Sequence, residues 1–180
     1  MDRIALRLGI TPWHLNSNLA ADALCQQAEL AEQCGYESFW LPESHFAGAQ
    51  SIPEPMMLLA AIAARTTTLK LGTTSYLLPI RNPLQAAEQV AVLDRLSGGR
   101  LILGLGRGFR SEMLQAYNVD PSEKRLLFER TLDAMKAAWS GDNVCNTEPG
   151  AAMSPLPLQQ PHPPIWMAAF GPKALKQAAK

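Results

Sequence analysis

In the stretch "LPESHF", Glu43 and His45 stand on either side of Ser44. Imidazole is the side chain whose charge changes nearest neutral pH, and His45 can also be a structural histidine paired with Glu43. In "RLILGLGRGFRSE", Gly104, Gly106 and Gly108 alternate along an apolar run, with Arg107 between the last two. Glycine admits close backbone approach, and a guanidinium is a charged fork suited to phosphate. His14 in "TPWHL" and Thr74, Ser75 and Tyr76 in "TTSY" add further polar groups. Each has an ordinary alternative. A lone histidine such as His14 or His162 is more often a hydrogen-bonded loop residue, and Arg107 could serve a surface ion pair.

The glycine run does not make a dinucleotide site. That fingerprint is G-x-G-x-x-G opening a helix, its third glycine letting helix and strand pack closely. Here Gly108 comes one residue early and Phe109 stands where the third glycine belongs. Glu123, at the distance of a ribose-binding acid, falls inside a charged helical pattern instead of ending a strand.

Composition narrows the classes. With 47% hydrophobic and 18% charged residues and no net charge, the chain reads as an ordinary globular protein with no nucleic-acid partner. The apolar run Met56 to Ala64 is far short of the roughly 18 residues that would suggest a membrane span. The N-terminus has an acid at position 2 and no cleavable signal pattern, so a cytoplasmic location is expected. Cys25, Cys34 and Cys145 form no C-x-x-C, and no metal site is expected. Cys25 and Cys34 fall on opposite faces of one predicted helix, about 13 Å apart along its axis, and read as reduced, mostly buried thiols.

These residues need elements to position them, and one unit recurs along the chain. The stretch Ile4 to Ile10 reads as a strand, and Asn18 can cap a helix from Leu19 to Cys34 that Gly35 closes. Glu37 to Leu41 is a second strand, Pro55 to Arg65 a buried helix and Thr68 to Leu78 a third strand. Asn82 and Pro83 make an N-cap and first helical residue, for a helix reaching about Ser97. "RLILGLG" is the fourth strand. Asp120, Pro121 and Glu123 start a helix with capping-box character that runs through Trp139 and ends at Gly141. A proline-rich loop leads to a fifth strand, Ile165 to Ala169, and Pro172 opens a fifth helix.

Strand–helix alternation implies an α/β fold with a parallel sheet and right-handed crossovers, either open or closed into a barrel. The last helix reaches Lys180 without a glycine cap, a proline stop or a closing strand. A full eight-unit barrel needs about 250 residues. The expectation is therefore a single domain over residues 1–180, the first five units of a barrel, with an insertion between Phe109 and Pro164. In such folds the loops after the strands converge on one mouth. His14, the Glu43–His45 cluster, Thr74 to Tyr76, Arg107 with Glu112, and Phe170 with Gly171 all follow strands, and this joint placement is what points to a site. His14 and Tyr76 are the candidates for substrate contact.

The segments "GYESFWLPESHF", "LKLGTTSYLLPIRNPLQAAEQVAVLDRLSGGRLILGLGRGF" and "QPHPPIWMAAFGPKAL" resemble the bacterial luciferase-like family of flavin-dependent monooxygenases and oxidoreductases. The resemblance covers nearly the whole chain in the family's order and spacing. It implies a (β/α)8 TIM barrel that binds FMN, or in one branch the deazaflavin F420, and it implies a homodimer. Relative to that pattern the last three strand–helix units are absent, so the 180-residue chain on its own is expected to be poorly active.

The resemblance also distributes roles. Arg107 is implied to be the flavin-phosphate arginine, with Gly106 and Gly108 allowing close approach. A second phosphate contact is implied in "FGPKAL", from Gly171 and the free amides of Lys173 and Ala174 at a helix start. A non-proline cis peptide is implied at Thr74–Ser75, its backbone facing the flavin ring. Family members often carry Glu-His-His-Phe after strand two; here Ser44 stands at the first histidine, leaving His45 either to take the catalytic role or to pair structurally with Glu43. Gly106 stands where the family's reactive cysteine would be, so luminescence is not expected. The function implied is a monooxygenase using O₂ and reduced FMN from a separate reductase on a small organic substrate. The alternatives are an F420-dependent oxidoreductase and a non-catalytic or vestigial flavin binder.

Overall fold

The computed structural model describes residues 6–15, 20–142 and 152–179. Strand β1 (Gly9–Ile10) leads to helix α1 (Ala21–Gln33), strand β2 (Ser38–Leu41) to helix α2 (Pro55–Ala63), and strand β3 (Lys70–Thr73) to a short strand β4 (Tyr76–Leu77). Helix α3 (Pro83–Leu96) precedes strand β5 (Leu101–Gly106). Helices α4 (Ser111–Ala116) and α5 (Lys124–Trp139), strand β6 (Ile165–Met167) and helix α6 (Pro172–Ala178) follow. Every strand pairing is parallel: β1 with β2, β2 with β3, and β5 with β3, β4 and β6. β3 and β4 share the same neighbour and are one strand interrupted at Thr74–Ser75, where the peptide is cis. Five strand positions, each followed by helix among the described residues, give five units of a TIM-barrel-type α/β fold.

Local rules account for most boundaries. Asn82 caps α3, its side chain accepting from the amides of Leu84 at 3.0 Å and Gln85 at 3.1 Å, and Pro83 fills the first helical position where no N–H is needed. Gly35 and Gly141 follow α1 and α5 in the left-handed region, at φ of 79° and 84°. Four expectations are corrected. Helix α1 begins at Ala21 with no side-chain cap bond from Ala20, while the predicted cap Asn18, like Cys145, lies outside the described residues. α5 begins without a capping box: Asp120 instead accepts from the Ser122 amide at 2.8 Å in a local turn, and Glu123 makes no cap bond. The predicted insertion contains a helix, α4, whose single and a half turns are too short for apolar periodicity to reveal. Cys34 is exposed, since it lies at the end of α1 past the buried stripe that holds Cys25.

The helices pack their apolar stripes on one face of the sheet, where Phe39, Leu41, Leu71, Leu101, Leu103 and Leu105 are fully or almost fully buried with Phe128, Met135 and Trp139 of α5. The other face is filled by tryptophan. Cβ atoms placed on Gly9 and Gly72 would stand 2.7 Å and 2.2 Å from Trp40 side-chain atoms, so these two glycines leave room for that ring. Trp40 donates to Ser38 Oγ at 2.8 Å and packs its ring 4.9 Å from that of Trp166. No described helix is long and apolar enough to cross a membrane.

Candidate functional site

A cleft of about 630 Å³ opens where the segments after β2, β3 and β5 meet the end of β6, a size typical of small-molecule sites. The segment after β2 contributes Glu43, Ser44 and His45, the interrupted strand contributes Thr74, Ser75 and Leu77, and the turn after β5 contributes Gly106 through Arg110. Met113 of α4, Lys124 at the start of α5, and Ala168 and Phe170 beyond β6 complete it. The loops of a parallel α/β sheet thus converge as expected, and His45, Thr74, Ser75, Gly106, Arg107 and Gly108 come together.

Other expected residues do not join them. Tyr76 is fully buried behind the wall, its hydroxyl donating to Gln89 Oε1 of α3 at 2.7 Å, because side chains alternate along a strand and Ser75 and Leu77 take the cleft side. Burial raises the Tyr76 hydroxyl above its ordinary range. His14 is exposed outside the cleft, its loop pinned to α1 by Gln27, which accepts from the His14 amide at 3.1 Å and donates to its carbonyl at 2.7 Å. The cleft wall reaches Phe170; Gly171, Lys173 and Ala174 lie past it at the start of α6, with Ala174 buried. Gly106 does not leave open space for a ligand, since the Ser75 side chain occupies it.

One buried network organises the left-over polarity. Glu43, whose side chain is wholly buried, accepts from His45 Nε2 and Arg81 Nη2, each at 2.7 Å, and from the Leu77 amide at 2.9 Å. Arg81 also pairs with Glu54 and lies over the Tyr76 ring, 4.5 Å from its centre. Burial pushes the Glu43 carboxyl up; the Arg81 charge and the three hydrogen bonds oppose this without cancelling it. Burial works against the Arg81 charge as well, but Glu43 and its other partners carry that group above its ordinary value. His45 Nδ1 lies 2.8 Å from the Tyr117 hydroxyl. Both imidazole nitrogens are therefore engaged, and the ring is in the pairing with Glu43 that the sequence left as one of two possibilities. Ser44 is also committed: it accepts from the Ile52 amide at 3.0 Å and donates to the Gln50 carbonyl at 3.3 Å.

Arg107 and Lys124 contrast with this network. Among the described residues neither is in an ion pair or a side-chain hydrogen bond, and both line the cleft. Arg110, also on the cleft, donates to the His45 carbonyl at 3.3 Å. Sequence reasoning missed Arg81, Arg110, Tyr117 and Lys124. Arg81 gave one usable sign, a cation just ahead of the Asn82–Pro83 helix start; Tyr117 had none, because its role depends on α4.

Comparison with known proteins agrees with this architecture. The family model for luciferase-like monooxygenases matches residues 5–180. The chain is 34% identical to limonene 1,2-monooxygenase of Rhodococcus erythropolis over 75% of its own length and 36% of that protein. It is 32% identical to the oxygenase component of the flavin-dependent trigonelline monooxygenase of Acinetobacter baylyi, over 85% of this chain and 44% of the relative. A monooxygenase from Streptomyces bottropensis superposes with a TM-score of 0.84 at 29% identity, covering 97% of this chain and 57% of the other. A Baeyer–Villiger monooxygenase of Pseudomonas putida solved with FMN shares the fold, with a TM-score of 0.80 at 19% identity, over 93% of this chain and 52% of the other. The chain spans half or less of the two curated relatives named here. By the match along residues 5–180, it belongs to the luciferase-like monooxygenase family.

Proposed function

We propose that the cleft holds FMN and that the protein is the oxygenase part of a flavin-dependent monooxygenase acting on a small organic substrate. The observation that carries this is the charge pattern of the cleft. Arg107 and Lys124 present cations with no ion-pair partner among the described residues, whereas Glu43, the carboxylate among the lining residues, is already paired with Arg81. A cleft lined by these two cations and by Leu77, Met113 and Ala168 fits a molecule with a phosphate tail and a flat, largely apolar ring.

Bound in reduced form, the flavin supplies the electrons that activate O₂. The chain's own residues bind, orient and shield. Arg107 anchors the phosphate through a charge-assisted fork. Thr74 and Ser75 present backbone to the ring, and the apolar walls keep water from the reacting centre. His45, with both nitrogens taken, orients the wall instead of transferring a proton to substrate. The name of the Acinetobacter baylyi relative, an oxygenase component, supports a separate reductase as the source of reduced flavin. We also propose a homodimer through the outward faces of α2 and α3, which expose Met57, Val92 and Leu96.

Fluorescence titration with FMN and with F420, on the wild type and Arg107→Ala, tests the reading. Losing one charged phosphate partner is worth about 1.5–3 kcal/mol, roughly 10- to 150-fold in Kd. Equal FMN affinity in both proteins would overturn the assignment of Arg107, and binding of F420 without FMN would replace the flavin with its deaza analogue.

A further inference from the structure

Both ends of α4 hold the same residue. Arg110, the N-cap of the helix, donates from Nη1 to the His45 carbonyl at 3.3 Å, and Tyr117, its C-cap, places its hydroxyl 2.8 Å from His45 Nδ1. Between them Met113 lines the cleft, while Leu114 packs with Leu77 and Val119 in a small apolar cluster separate from the main core. The rings of His45 and Tyr117 meet edge-on, with centres 5.1 Å apart and planes at 70°. From His45 the connection passes through Glu43 to the Leu77 amide on the interrupted strand.

The chemistry of the donors sets the proton. An ionised Glu43 only accepts, so Nε2, at 2.7 Å from Oε1, carries the hydrogen. In the neutral ring Nδ1 is then a bare acceptor, and the Tyr117 hydroxyl donates to it. The opposite tautomer would set the Nε2 lone pair against the carboxylate. Tyr117 thus satisfies the one imidazole atom that Glu43 leaves open.

We propose that Tyr117 is a positioning residue: through His45 it seats α4 against the cleft and holds the Glu43–Leu77 contact, so that the cleft keeps the shape the ligand requires. The ligand part of this proposal rests on the flavin reading; the clamp itself does not. Tyr117→Phe keeps the ring and removes the hydroxyl. Long-range ¹⁵N–¹H spectra should show His45 in the wild type as Nε2–H with a hydrogen-bonded Nδ1. In Tyr117→Phe the Nδ1 signal should move to the position of a solvent-exposed or averaged nitrogen. Amide exchange of α4 and of Leu77 should quicken by about two- to tenfold, and FMN affinity should fall by a similar factor. Val119→Ala, which loosens the same small cluster without touching the imidazole, should quicken exchange in α4 and leave the His45 signals in place. Unchanged His45 signals in Tyr117→Phe, or a wild-type ring in the Nδ1–H form, would overturn the clamp. If the spectra behave as expected while the wild type binds no flavin, the flavin reading fails and the clamp stands.

Discussion

Ser75 fills the space that a side chain at Gly106 would need: a Cβ on Gly106 would stand 2.0 Å from Ser75 Oγ and 2.9 Å from Ser75 Cβ. Two residues earlier on β5 the same holds more severely, since a Cβ on Gly104 would stand 1.8 Å from the Thr73 carbonyl oxygen. The alternating glycines are thus a packing demand of the interrupted neighbouring strand, and only Gly108, at φ of 73°, is needed for the turn itself.

Gly106→Ala should therefore destabilise the fold by about 1–3 kcal/mol, the usual range for forcing a methyl into a filled site. Because Ser75 and its neighbour Thr74 line the cleft, the displaced side chain should also weaken flavin binding. Urea melts and FMN titration check both effects. A variant with wild-type stability and affinity would show that Ser75 has another rotamer at no cost and that the glycine is not required.

Glu32 provides a pH signature far from the site. Its carboxylate accepts from the amides of Thr67, Thr68 and Leu69 and from the Thr68 hydroxyl, tying α1 to the start of β3. Burial works against its charge, but these donors outweigh burial and hold the group at about 2, against an ordinary 4.5. A carboxyl lowered on folding contributes stability that is complete above its unfolded value and is lost as pH falls through the folded one. The stability lost in Glu32→Gln should then be full above pH 5 and shrink steadily between 4.5 and 2. Solvent screening keeps it near 1 kcal/mol. Paired melts across that range measure it, and a difference that does not change with pH would remove the carboxylate from the account.

What was legible in the sequence was whatever repeats or punctuates. The strand–helix alternation, the Asn82–Pro83 start and the glycine after Cys34 all act within a few residues, so pattern alone reveals them. The convergence of Glu43, Ser75 and Arg107 on one cleft also followed, because strand ends in a parallel sheet share a side. The partners of those residues did not follow. Tyr76 and Ser75 are adjacent in sequence yet face opposite sides of the sheet, and which one meets the cleft depends on a register that the break at Thr74–Ser75 resets. The role of His45 depends on Arg81 and Tyr117, which lie 36 and 72 residues away along the chain, a separation no local pattern encodes.

Association through α2 and α3 makes a separate prediction. Met57 is 71% exposed and Leu96 60%, on helices that pack beside each other and carry small residues able to admit a close neighbour. Met57→Lys combined with Leu96→Lys should convert a dimer to a monomer in light scattering, while the far-ultraviolet circular dichroism stays the same. A wild type that scatters as a monomer at micromolar concentration would refute the interface.

Asp94 should govern the position of β6 and, through it, the last wall of the cleft. The Asp94 side chain is fully buried at the end of α3, and it accepts from the Gln159 amide at 2.8 Å and from Gln159 Nε2 at 2.6 Å. Gln159 Nε2 donates again to the Leu101 carbonyl at 2.9 Å, so one residue of the proline-rich segment is bound to both α3 and β5. That attachment sets the path of the chain into Pro164, whose carbonyl accepts from Leu103 at 2.8 Å and begins the pairing of β6 with β5. Asp94→Ala leaves two donors on Gln159 without their acceptor, at about 1–3 kcal/mol for each one that remains buried. Amide exchange should quicken in Gln159 and in residues 165–168 while α1 and α2 keep their wild-type protection, because the hydrogen bonds of the Asp94 carboxylate go to Gln159. Flavin affinity should fall with it, since Ala168 and Phe170 belong to the cleft. If the lost stability is instead spread evenly over the fold and β6 exchanges as in the wild type, Asp94 supports the core in general and does not place the cleft wall.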